Sequence, residues 1–105
     1  DDNYKNILQV KIQKAFKTTP DYLEISHDIE KGYHMGVFLC LGQPIYEVNY
    51  KNAVPFSEYG SFTTIQEQFE ENGKIFVFMG EGLHKIKKKA EQIACEIALN
   101  KIGEN

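Results

Sequence analysis

Gly80-Glu81-Gly82-Leu83-His84-Lys85-Ile86-Lys87-Lys88-Lys89-Ala90-Glu91-Gln92-Ile93-Ala94-Cys95 sets a glycine-rich break directly before a helix that opens on lysine. From about residue 86 to 102, Ala90, Ile93, Ala94, Ile97, Ala98 and Ile102 recur along one stripe, the spacing of an amphipathic helix. Its lead-in, His84 to Lys89, holds four lysines in six positions. A helix N-terminus already presents unpaired N–H groups and about half a positive charge, so each lysine there costs roughly 0.3–1 kcal/mol. A helix that needed only solvation would begin with Asp or Glu. Amides, dipole and lysines together form an anion site, and phosphate is the anion this chemistry suits.

Upstream of the break, Lys74-Ile75-Phe76-Val77-Phe78-Met79 reads as a third strand closed by Gly80-Glu81-Gly82. Before it, Thr64 and Glu67 fit a capping box, Ile65 and Phe69 share a face, and Gly73 supplies a stop, which predicts a short helix over 64–72. Residues 51–63 are polar and irregular, with Pro55 and Gly60 as breakers. A second strand is expected from about Val37, after a loop Gly32-Tyr33-His34-Met35-Gly36, with a continuation around Ile45–Val48. Tyr22, Leu23, Ile25 and Ile29 outline a first strand. Residues 3–16 carry Tyr4, Ile7, Leu8, Ile12, Ala15 and Phe16 on a helical face, with Asn3 as the expected cap and Thr18-Thr19-Pro20 as the stop. The order is helix, strand, strand, inserted helix, strand, helix. This is one α+β domain over residues 1–105, without repeat or linker.

The chain has 105 residues, 42% of them hydrophobic and 26% charged, as a folded domain does. No run approaches the ~18 apolar residues of a membrane span, and no secretory leader is recognisable. A net charge of −3 excludes a uniformly basic surface but not a local basic patch. All 12 basic residues are lysine, so anions meet compact ammonium groups, not planar forks. Cys40 and Cys95 sit in apolar surroundings and read as small buried thiols of a reducing, intracellular compartment, cytoplasmic or nuclear. They form neither a disulfide framework nor a zinc site. The absence of a first methionine fits a domain excised from a longer chain.

Lys87-Lys88-Lys89-Ala90-Glu91-Gln92-Ile93-Ala94-Cys95 resembles the Lys-Lys-x-Ala-Glu-Gln-x-Ala-Ala signature that opens the second helix of double-stranded RNA-binding domains, in the form attached to ribonuclease III-like enzymes. Tyr4-Lys5-Asn6-Ile7-Leu8-Gln9 is similar to that family's first helix, and Pro20-Asp21-Tyr22 to the approach to its first strand. His34 and Phe38 keep the spacing of its histidine loop and second strand, and Gly80 and Gly82 fall at its glycine-rich turn. The likeness covers roughly residues 3–41 and 74–102. It implies an α-β-β-β-α fold, two helices on one face of a three-stranded antiparallel sheet, with an insertion at about 42–73 containing the short helix.

The resemblance also implies a partner and a contact set. Such domains grip duplex RNA by shape, spanning about 16 base pairs across two minor grooves and the phosphates between them. Lys87 and Lys88, with Lys85 beside them, would meet phosphates; Asn6 and Gln9 would face one minor groove and His34 the other. The amides and the imidazole suit a 2′-hydroxyl, which both donates and accepts. Several positions depart from the pattern. Val10 stands where many members carry glutamate, the loop before His34 lacks a proline, and Ile86 and His84 replace a serine and a glycine. No carboxylate cluster of the two-metal kind is recognisable among the 15 acidic residues. The fragment is therefore expected to bind without a cofactor and without catalysis, while cleavage and divalent metal belong to an attached nuclease domain. The alternative is a degenerate domain of the same fold that mediates protein contact or pairs with a second copy. A third reading, His27, His34 and His84 as a metal or acid–base site, has no motif behind it.

Overall fold

The structure is a computed structural model that describes residues 3–103. Among the described residues there are three α-helices: α1 (Tyr4–Phe16), α2 (Phe62–Asn72) and α3 (Lys87–Ile102). Four strands, β1 (Asp21–Asp28), β2 (Gly32–Leu41), β3 (Val54–Pro55) and β4 (Ile75–His84), form one sheet in the order β1-β2-β4-β3. β1, β2 and β4 pair antiparallel, whereas β3 lies parallel to β4 through Val54↔Val77 and Pro55↔Phe78. The sheet is thus mixed and four-stranded, not the three-stranded antiparallel one expected. β3 escapes sequence reading because it is two residues long and half proline, and a proline lacks the ladder donor that marks a strand.

Alternation along β2 divides the core. Val37, Leu39 and Leu41 join Leu8 and Ile12 of α1, Val77 and Met79 of β4, and Ala94, Cys95 and Ala98 of α3 in one buried cluster. α3 lies close on the sheet because Gly80 and Gly82 face it: a Cβ on Gly80 would fall 2.5 Å from the Ala94 carbonyl oxygen, and one on Gly82 would collide with that of Ala90. These glycines are therefore strand residues, and β4 runs on to His84; the expected turn at 80–82 is not there. The buried side of α3 is Ala90, Glu91, Ala94, Cys95, Ala98 and Ile102, while Ile97 is exposed, so the expected stripe is rotated toward the small residues.

Phe38, Phe76 and Phe78 belong to the other side of the sheet, with ring centroids 5.3 and 5.5 Å from Phe38. Phe38 is only 1% exposed although no helix covers it. The insertion closes over part of this side: the Gln43 side-chain amide donates to the Ile75 carbonyl, Cys40 Sγ donates to the Gln43 carbonyl, and Tyr50 and Ala53 line a cleft with Phe38 and Phe78. Residues 45–47, expected as a strand continuation, form a 3-10 turn instead, as Pro44 directly ahead makes plausible.

The insertion ends in α2, whose cap is Ser61: its Oγ accepts from the Thr64 amide at 3.1 Å. The helix starts two residues before the Thr64 capping box expected from sequence. Gly73, left-handed at φ 76°, closes it as read. Phe62 meets Phe16 edge-on at 5.1 Å, which fixes α2 against the end of α1. Asn3 makes no side-chain cap for α1. Gln92 of α3 reaches across instead, its Oε1 accepting from the Lys5 amide at 3.1 Å. No helix among the described residues is long and apolar enough to cross a membrane.

Candidate nucleic-acid interface

α3 begins on Lys87, Lys88 and Lys89, with Ile86 at its cap position, no side-chain cap bond and no acidic residue in the first turn. All three lysines are exposed, as is Lys85 just ahead. The approach to the helix is shaped by His84, whose Nδ1 accepts from the Ile86 amide at 2.9 Å. A side-chain acceptor two residues upstream thus turns the chain into the helix, and the Lys89 amide donates to the Ile86 carbonyl at 3.0 Å, which leaves the Lys87 and Lys88 amides as the helix's orphan donors. In the sequence His84 reads as a departure from a glycine pattern and as one member of a three-histidine metal or acid–base reading; the signal for its role is an imidazole two residues before a helix start.

The β1–β2 turn adjoins this end. Gly32, at φ 93°, packs so tightly on the lead-in to α3 that a Cβ there would lie 2.5 Å from the His84 oxygen and the Lys85 Cα. The turn itself is held by Asp28, whose Oδ1 accepts from the amides of Glu30 and Lys31 at 2.7 and 3.1 Å. Those bonds, Lys31's first, keep the Asp28 carboxyl below its ordinary range. Lys31 is exposed and sits next to Gly32, so the turn adds a cation beside Lys85 that sequence reading did not select. Tyr33 stands opposite both His27 and His84 in the sheet, and its ring stacks on His27 at 4.0 Å.

α1 reaches the same region through a polar clamp. Lys5 Nζ pairs with Glu91 Oε1 at 2.6 Å, and the ammonium lies 4.4 Å from the centre of the Tyr22 ring. Glu91 is 8% exposed while the Lys5 side chain is 36% exposed, so this half-buried ion pair ties α1 to the second turn of α3. Tyr22 and Cys95 complete the clamp, with OH and Sγ 3.5 Å apart. Burial, reinforced by the Cys95 contact, pushes the Tyr22 phenol up, and burial likewise raises the Cys95 thiol. Both stay protonated near neutrality and serve packing. Cys40 is half-buried; neither cysteine is in a disulfide.

Of the residues singled out from sequence, Lys85, Lys87 and Lys88 cluster at the start of α3, and Asn6 and Gln9 are exposed on α1, whose first turn is clamped to α3. His34 is not with them. The turn closing the β1–β2 hairpin is only Ile29-Glu30-Lys31, so strand pairing takes in the expected loop and His34 lies within β2 opposite Ser26 and Leu83. There it shares the insertion's side of the sheet with Gly36 and Phe38, and Nε2–H donates to Glu81 at 2.5 Å. Among the described residues, no three His, Cys, Asp or Glu side chains converge as metal ligands, and His27, His34 and His84 stand on three different strands.

A scan against protein-family models, a search of curated proteins and a search of solved structures each return no match. The family likeness rests on the residues quoted from the sequence.

Proposed function

We propose that this chain is a duplex-RNA-binding module, an insertion-bearing variant of the α-β-β-β-α double-stranded RNA-binding fold. The observation that carries the reading is the first turn of α3: three lysines, no acid and no side-chain cap, at the end of a helix where such charges are otherwise unfavourable. Orphan amides plus ammonium groups suit phosphate oxygens, and lysine serves them as a point charge. Lys87 and Lys88 bridge the phosphates, with Lys85 and Lys31 flanking them. Gln9 and Asn6 offer amides to a minor groove from the helix that Lys5 and Gln92 tie to α3. His34 has no part in this contact set, since Glu81 holds it on the other side of the sheet. Cutting would belong to an attached ribonuclease III-type domain.

The test is binding of a duplex RNA of about 20 base pairs, the matching duplex DNA and single-stranded RNA, each at two salt concentrations. Preference for duplex RNA, with affinity falling as salt rises, is the expected result. The double variant Lys87→Glu/Lys88→Glu should lose at least about 30-fold in affinity with an unchanged circular dichroism spectrum. Equal binding by variant and parent would overturn the assignment.

A further inference from the structure

We infer that the groove between α1 and the start of α2 docks an acidic amphipathic helix of a protein partner. Ile7 and Val10 lie one turn apart on the outward side of α1 and are 40% and 59% exposed. α1 already buries Leu8 and Ile12, so these two are surplus to the core. With Ala15 and Phe62 they form an apolar floor, and Lys11 and Lys14 line the same groove. Among the described residues, no carboxylate lines it. Lys17 follows at the end of α1, with Nζ donating to the Lys14 carbonyl, and extends the cationic edge.

In a chain of net charge −3 this is a local reversal of sign, and it selects the occupant. A phosphate backbone would use the lysines but would gain nothing from covering Ile7 and Val10. A helix with an apolar stripe flanked by Asp or Glu uses both. From Asn3 to Ala15 the groove runs roughly 18 Å along α1, enough for about three turns of a partner helix. Val10 is the most exposed apolar residue of this floor. The groove does not include Lys87 or Lys88, but it is lined by Asn6 of the proposed RNA contact set.

The probe is a fluorescein-labelled helical peptide of about 15 residues, with leucine at i, i+3 and i+7 and glutamate on the flanks. Its control carries lysine in place of every glutamate. Both are titrated with the whole chain by fluorescence anisotropy at two salt concentrations. The acidic peptide should saturate below about 1 mM and the lysine version should not bind. Val10→Glu and Lys14→Glu should each weaken the acidic peptide by about tenfold, and salt should weaken it further. Val10→Glu is a surface change, so its circular dichroism should match the parent, and Lys14→Glu, outside the proposed RNA contact set, should keep the parent's preference for duplex RNA over duplex DNA. Failure of the acidic peptide to saturate, equal binding of both peptides, or full affinity in Val10→Glu would overturn the inference. So would a loss of duplex RNA by Val10→Glu as large as that of the Lys87→Glu/Lys88→Glu variant, which would give the groove to RNA.

Discussion

α2 and α3 are held in the molecule by opposite means. α2 has a serine cap, a left-handed glycine stop and large side chains, Phe62, Ile65 and Phe69, that fill space between α1 and the strand ends. α3 has no side-chain cap and opens on lysines, and it seats itself through alanines laid on the glycines of β4. The first helix is capped at both ends, although Glu70 and Glu71 lie unfavourably in its last turn. The second draws stability from its middle and leaves its first turn unfavourable. That difference sets a structural element apart from the one whose tip is the proposed ligand site, since local unfavourable choices gather at functional sites.

The contrast breaks first if α3 is not seated by close approach. Gly82→Ala places a methyl group against the Ala90 carbonyl oxygen and should cost about 3 kcal/mol, measured as a shift in the chemical denaturation midpoint. A near-neutral result would mean that α3 tolerates displacement and that its seat is not backbone contact. Next in size, Ser61→Ala removes the α2 cap and should cost about 1 kcal/mol in the same assay. Smallest, and of opposite sign, Lys88→Glu should stabilise the fold by about 0.5 kcal/mol at low ionic strength, with the gain shrinking as salt is added. A stability gain accompanied by a loss of RNA affinity would sharpen the contrast. A loss of both would show that Lys88 supports the fold.

Helical elements were largely legible in the sequence. The apolar spacing of Leu8 and Ile12, the run Ala90-Ala94-Ala98 and the Gly73 stop are local signals, and local signals survive in one dimension. What failed were judgements that depend on a neighbour far along the chain. Gly80 and Gly82 look like a turn until a helix is laid across them. His34 looks like a loop residue until a three-residue turn lets strand pairing extend past it. Asn3 looks like a cap, yet Gln92 serves the α1 amides, and nothing near residue 3 announces it. At the proposed site, the lysines were legible because charge at a helix start is conspicuous, whereas Lys31 entered only through the packing of Gly32 on the α3 lead-in.

The bond between the Lys5 amide and Gln92 joins positions 87 apart. During vectorial synthesis α1 emerges long before the residue that completes its end, and it shares a core cluster with strands and a helix that are still unmade. Little can lock early; the entropy of closing so long a loop is met only once α3 arrives. Maturation of this fold therefore waits on the final third of the chain, and the lysine-tipped helix is also the keystone that lets the opening helix settle.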